Sequence, residues 1–175
     1  MATRLYLCMS VDGIIATSNR VADEDSEWSE STFARWCGYC TASNNVIVGR
    51  KTYEELTEMD VADILYPEHG VVVSSRKLKL ADRWVQFSTP RQAVEYLKSR
   101  NLEDVIVGGG HDLALACVTE GLIEEFVLDI QPTLFGYGTP LLGELEKSIE
   151  LELVDSERLD HDAIRVHYKI GGKKM

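Results

Sequence analysis

Three consecutive glycines, Gly108, Gly109 and Gly110, follow the apolar run Val105-Ile106-Val107 and precede His111, Asp112 and Leu113. Glycine lets a backbone approach a ligand with no Cβ in the way, and the free N–H groups at the start of a following helix attract anions. Leu113, Leu115, Ala116 and Val118 fall where such a helix would bury them. A strand that ends in glycines and opens into a helix is a place where a phosphate can settle. The same residues also suffice for a tight connection, because Leu113 stands where a full G-x-G-x-x-G spacing would need glycine.

Two further apolar runs end in hydroxyl and basic residues. Val46 to Val48 lead into Gly49, Arg50, Lys51 and Thr52, and Val71 to Val73 lead into Ser74, Ser75, Arg76 and Lys77, with Lys79 nearby. An arginine fork beside hydroxyl groups suits a phosphate monoester through charge-assisted hydrogen bonds. A glycine turn suits a pyrophosphate, which needs close backbone approach more than charge. Taken together, these features describe a dinucleotide with an additional 2′-phosphate, hence NADPH rather than NADH, whose ribose calls for an acid. Each basic pair, taken singly, is equally a solvated strand or helix end.

Hydride transfer draws its reactive carbon from the cofactor, and the protein must add a proton source or a stabiliser. The candidates are Asp12, in a turn after the first apolar run, and Glu30, at the start of a helical pattern. Asp12-Gly13 is also a good turn-former, and Glu30 is also an ordinary helix-terminal acid. Trp28 could stack on a flat substrate ring or make a helix-capping contact. The acidic run Asp23, Glu24, Asp25 and Glu27 reads as a solvated loop. His111 suits helix entry or cofactor contact, whereas His69, His161 and His167 read as surface residues. Cys37 and Cys40 have C-x-x-C spacing but no second ligand pair, and Cys37 falls inside a helical pattern, so a structural role is expected and no metal.

The elements that must position these groups follow from pattern. Strands are expected at Thr3 to Met9, Asn45 to Gly49, Gly70 to Ser75, Arg83 to Phe87, Asp104 to Gly108, Glu125 to Gln131, Ile149 to Ser156 and Ala163 to Ile170. Helices are expected at Ser29 to Ala42, Arg50 to Glu58, Pro90 to Arg100 and His111 to Glu120. Their alternation through residue 120 points to βαβ units and a mostly parallel sheet. The last third, with the Gly/Pro-rich "PTLFGYGTPLLG" and no further helix, points to an antiparallel C-terminal edge. Ligands of open α/β sheets bind outside the carboxyl ends of the strands, where the glycines and basic pairs fall.

The chain has 175 residues, with 18 Lys plus Arg against 29 Asp plus Glu and a formal charge of −11. That length fits a single domain, residues 1–170, with 171–175 as a flexible tail. So acidic a surface argues against nucleic acid as a partner. No apolar window reaches membrane-spanning length, and the N-terminal apolar stretch is too short for a signal-peptide core. With few cysteines as well, a cytoplasmic protein acting on a small molecule is expected.

Several motifs together carry a resemblance. "SVDGIIA" at 10–16, "VIVGRKTYEEL" at 46–56, "VVVSSRKL" at 71–78, "VIVGGGHDLALACVTEGLIEEFVL" at 105–128 and "PTLFGYGTPLL" at 132–142 resemble the dihydrofolate reductase-like superfamily. Within it they look most like the C-terminal reductase domain of the riboflavin biosynthesis protein RibD and its stand-alone relatives. The resemblance implies a three-layer α/β/α fold and an NADPH-dependent reductase of a small pteridine- or pyrimidine-like compound. It places Gly49, Arg50, Lys51, Thr52, Ser74, Ser75 and Arg76 on the adenosine 2′-phosphate side. Gly108, Gly109, Gly110, His111, Asp112 and Leu113 would then lie around the pyrophosphate, with Ile15 and Ala16 along the nicotinamide. It also implies a homodimer. Two departures accompany it: no zinc deaminase signature precedes the domain, and Phe33 stands where dihydrofolate reductases carry their pterin-binding acid. The missing acid leaves open a catalytically inactive nucleotide-binding module, acting as a sensor or interaction subunit.

Overall fold

A computed structural model of the chain describes residues 1–17, 30–59 and 68–172. Five strands that carry the site, β1 (Thr3–Ser10), β3 (Asn45–Gly49), β4 (His69–Val73), β6 (Val105–Gly109) and β7 (Glu125–Gln131), are nearly continuous apolar runs. Runs of this kind belong to strands covered on both faces. The remaining elements are β2 (Ile14–Ala16), α1 (Glu30–Ala42), α2 (Arg50–Glu58), β5 (Trp84–Phe87), α3 (Pro90–Lys98), α4 (His111–Thr119), β8 (Thr139–Pro140), β9 (Leu151–Arg158) and β10 (Ile164–Ile170). An eight-stranded sheet has the order β5-β4-β3-β6-β1-β7-β10-β9. All pairs from β5 to β7 are parallel, and β10 pairs antiparallel with β7 and β9. The mixed sheet with an antiparallel C-terminal edge is therefore the fold the residues imply.

Alternate side chains of each inner strand face opposite layers. Leu5, Leu7, Ile47, Val71, Val105, Val107, Phe126 and Leu128 pack under α3 and α4, against Val94, Leu97, Leu113 and Cys117. Tyr6, Cys8, Val46, Val48, Val72, Ile106 and Val127 pack under α1 and α2, against Trp36, Cys40, Tyr53 and Leu56. These two apolar layers make the three-layer α/β/α arrangement, and each fully buried side chain of this size contributes about 1.5–3 kcal/mol relative to exposure.

Pattern reading missed β2 and β8, which pair antiparallel as a second, two-stranded sheet. Runs of three and two residues are too short to show a period. β9 begins two residues later than expected and extends to Arg158, with all eight side chains exposed. At the start of the expected tail the Gly171 amide donates to the Glu150 carbonyl at 2.9 Å, and residues 173–175 lie outside the described residues. No helix among the described residues is long and apolar enough to cross a membrane.

Candidate active site

A cavity of about 740 Å³ opens at the carboxyl ends of β4, β3, β6 and β1. Of the expected residues, Ile15, Ala16, Gly49, Arg50, Lys51, Thr52, Ser74, Ser75, Gly108, Gly110, His111, Asp112 and Leu113 line it. Sheet order explains the convergence: residues far apart in sequence follow strands that are neighbours in space.

The helices opening onto the cavity differ at their starts. α3 is capped by Thr89, whose hydroxyl accepts from the Gln92 amide at 3.3 Å, with Pro90 following. α2 and α4 begin instead at Gly49 and Gly110, and neither has a side-chain cap. Their first-turn amides are thus left for water or a ligand, and that end of a helix favours negative charge. This is an arrangement that fits the phosphates of a dinucleotide.

The three glycines divide their work. A Cβ on Gly108 would lie 2.6 Å from Val46 Cγ2 and 3.0 Å from Trp36 Cζ2, so this glycine is required by packing. Its carbonyl accepts the Trp36 indole N–H at 3.1 Å. Gly109 has φ of +128°, a conformation that L side chains rarely adopt, and does not itself line the cavity. Gly110 lines it, and a Cβ there would meet Thr52 Oγ1 at 3.2 Å.

The basic residues differ as well. Arg50 is held by Glu54 one turn along α2, at 2.6 and 2.9 Å, whereas the Lys51 side chain is exposed at the cavity. Ser74 accepts from the Arg76 amide at 3.0 Å and donates to the Arg76 carbonyl at 2.9 Å, closing a small turn. Gln86, unremarked in the sequence, pins that turn by donating to the Ser74 and Arg76 carbonyls at 3.0 and 2.6 Å. Arg76 is exposed and lies outside the cavity lining, next in sequence to Ser75, which lines it.

Asp12 also lies outside the lining. Its carboxylate accepts from Ser10 Oγ at 2.6 Å, the Gly136 amide at 2.7 Å and the Phe135 amide at 3.3 Å. The Ser10 hydroxyl and then the Gly136 amide hold it below the usual carboxylate range, so at neutral pH it is an ionised acceptor. Of its two readings, the turn is the one this geometry supports. Val11 N–H to Thr133 O, Leu141 N–H to Gly13 O and the β2–β8 pair fasten the same turn to the Gly/Pro-rich segment. That segment reaches α4 through His111, whose Nδ1 donates to the Pro140 carbonyl at 2.8 Å. A ring nitrogen facing a carbonyl must carry the proton, so neutral His111 keeps Nε2 as an acceptor. Glu30 is the first residue of α1, but its side chain, like Trp28 and the acidic run Asp23 to Glu27, lies outside the described residues.

The cavity has a second arm that sequence reasoning largely missed. Cys8, Thr32, Phe33, Trp36, Glu55, Leu56 and Met59 line it between α1 and α2. Phe33, noted only as a departure, stacks with Trp36 at 6.2 Å between centroids and 11° between planes. Burial pushes the Cys8 thiol up to about 12, so it enters the cavity as a neutral thiol rather than a nucleophile.

Beneath this arm lies a buried charge network. Asp129, with no exposed surface, accepts from Arg165 Nε and Nη2 at 2.7 and 2.9 Å and from the Tyr6 hydroxyl at 2.8 Å. Burial raises the Tyr6 hydroxyl well above its ordinary value. Arg35 Nε stands 3.9 Å from Asp129, its Nη1 pairs with Asp160, and its Nη2 donates to Gln131 Oε1 at 3.2 Å. Gln131 Oε1 also accepts the Thr32 hydroxyl at 3.0 Å, which links the network to the cavity wall. No group of three or more His, Cys, Asp or Glu among the described residues is placed to hold a metal ion.

Comparison with known proteins agrees with this geometry. The sequence model of the family described as the RibD C-terminal domain matches residues 3–165. The uncharacterized Bacillus subtilis protein YwjB is 26% identical over 168 residues, covering 95% of this chain and 96% of its own. Among solved structures, a Shewanella sp. PV-4 protein assigned by inference to riboflavin biosynthesis superposes with a TM-score of 0.75 at 21% identity. That match covers 98% of this chain and 100% of the other. Acinetobacter baumannii RibD superposes with a TM-score of 0.71 at 18% identity over 97% of this chain, which spans 58% of that longer protein. At these identities the structural likeness bears on the fold.

Proposed function

Because the chain belongs to the RibD C-terminal domain family, we propose that it is an NADPH-dependent reductase that transfers hydride to a small pteridine- or pyrimidine-like substrate. The observation that carries this reading is the strand-end arm, where two helices without side-chain caps and an exposed lysine meet in one cavity. Bound there, NADPH would supply the hydride, the chemistry that belongs to the cofactor.

The chain's own residues would bind and orient. The first-turn amides of α4, after Gly110, suit a pyrophosphate, and Lys51, Thr52 and Ser75 suit a terminal phosphate. Ile15 and Ala16, on the short β2 strand, line the cavity as an apolar surface for the reactive ring. Leu56, Phe33 and Trp36 line the same cavity and help keep it dry, which strengthens any polar contact made within it.

A second reading, a nucleotide-binding module without catalysis, draws on one specific feature. Phe33 lines the cavity where the resemblance to dihydrofolate reductases would put a pterin-binding acid, and Asp12 is committed to its turn. Cofactor oxidation over a panel of pteridines and pyrimidines separates the two. Substrate-dependent NADPH consumption supports the reductase; tight NADPH binding with no turnover on any of them supports the module. The protein is further proposed to act as a homodimer in the cytoplasm, which gel filtration and localisation of a tagged chain would test.

A further inference from the structure

Arg35 stands on α1 among Thr32, Phe33 and Trp36, the side chains that this helix contributes to the cavity lining. Its own side chain is only 15% exposed. It donates to Thr32 Oγ1 at 3.3 Å and to Gln131 Oε1 at 3.2 Å, both neutral acceptors. The buried carboxylate beside it, Asp129, is 3.9 Å from Nε, and Nε makes no hydrogen bond among the described residues. Asp129 is already held by Arg165 at 2.7 and 2.9 Å and by the Tyr6 hydroxyl at 2.8 Å. Two guanidiniums therefore flank one buried carboxylate. The carboxylate that bonds Arg35 directly is Asp160, itself 56% exposed, on the turn between β9 and β10.

That turn has a conformational cost of its own. His161 and Asp162, neither of them glycine, lie side by side at φ of +54° and +59°. Such residues persist where their surroundings over-determine them. Here the Leu159 amide donates to the Ala163 carbonyl at 2.8 Å, Ala163 is fully buried and Arg158 pairs with Asp162.

We propose that Asp160 is a positioning residue for the α1 wall of the cavity and acts through Arg35, supplying the counter-charge that the guanidinium otherwise has only in part. The inference rests on reading the cavity as the ligand site and requires no particular cofactor. A guanidinium held in a poorly hydrated place with only a shared carboxylate nearby is drawn toward water. Reaching water takes Arg35 away from Thr32 and Gln131, and the turns of α1 that carry Thr32, Phe33 and Trp36 loosen with it. The strand-end arm takes its lining from α2, α4 and the residues after β4, so it stays as it is.

The test is amide hydrogen exchange, read peptide by peptide, on wild type, Asp160→Asn, Asp160→Glu, Arg35→Met and the Arg35→Met/Asp160→Asn double variant, with NADPH titrated into each. Asp160→Asn is expected to speed exchange in α1 roughly tenfold, while α3, in the opposite layer, keeps its wild-type rate and NADPH affinity holds within about twofold. Asp160→Glu, which keeps the carboxylate, should keep the slow exchange of α1. In Arg35→Met, where no guanidinium remains to be balanced, adding Asp160→Asn should change nothing further. Unchanged α1 exchange in Asp160→Asn overturns the proposal, as does an acceleration that α3 shares or one that survives in the Arg35→Met background. Should Arg35→Met not fold, fast α1 exchange in Asp160→Glu overturns it instead. The expected exchange pattern in a protein that binds no NADPH would uphold the role of Asp160 and bring down the cofactor reading alone.

Discussion

The Trp36 indole N–H donates to the Gly108 carbonyl at 3.1 Å, tying α1 to the last residues of β6 at the floor of the cavity. Trp36 also sits where a Gly108 Cβ would have to go. Gly108→Ala is therefore expected to destabilise the fold by about 1–3 kcal/mol through overpacking. Gly110→Ala, whose nearest obstacle is the Thr52 hydroxyl at 3.2 Å, is expected to cost less stability and more dinucleotide affinity. Denaturant melts and cofactor titrations on the two variants check the contrast; equal effects on both measures would contradict the division of work among the glycines.

The Asp12 carboxylate is expected to act on stability and not on proton transfer. Its folded-state pKa is depressed, first by Ser10 and then by Gly136, so its contribution is present above the ordinary carboxylate range and is lost as pH falls through the depressed value. Asp12→Asn should lower the melting temperature at neutral pH, with the gap closing in acid. Any pH profile of turnover should keep its shape. A profile that loses a limb in Asp12→Asn would return Asp12 to the chemistry.

Asp129 answers two buried or half-buried partners at once, Arg165 and Tyr6. Asp129→Ala leaves the Arg165 guanidinium without its main counter-charge. It is expected to cost about 3–5 kcal/mol, as removal of one member of a buried pair does. Equilibrium unfolding measures it, and a loss below about 1 kcal/mol, the range of exposed pairs, would show that water reaches the network.

Cys8 faces the cavity yet is expected to resist alkylation. With its thiol pushed up to about 12 by burial, only about one molecule in ten thousand carries the thiolate at pH 8. Iodoacetamide labelling of the folded protein, followed by peptide mapping, should leave Cys8 unmodified at pH 8. Rapid labelling there would contradict its protection.

The inner strands and four helices were legible because buried parallel strands are written as unbroken β-branched runs, and two of these runs end in the glycines that lead into a helix, Gly49 before α2 and Gly108 to Gly110 before α4. The rule that open α/β sheets bind ligands beyond the carboxyl ends of their strands then brings Arg50, Lys51, Ser75 and His111 toward one place. What was not legible depends on contacts without a period. Arg165 and Asp129 are 36 residues apart, and nothing in their spacing announces that they meet. Gln86 looks like any polar strand residue until its amide is seen holding the Ser74–Arg76 turn. Arg76 resembled Lys51 in sequence, but its turn leaves it exposed beyond the cavity, whereas Lys51 is fixed by the first turn of α2.

The most direct test of the central claim is a titration of NADPH and NADH, by cofactor fluorescence at low salt, into wild type and Lys51→Ala. Micromolar binding of NADPH with a clear preference over NADH, and loss of that preference in Lys51→Ala, is the predicted result. Absence of binding by either dinucleotide, or equal binding of both that Lys51→Ala leaves unchanged, would contradict the assignment of the strand-end arm to NADPH.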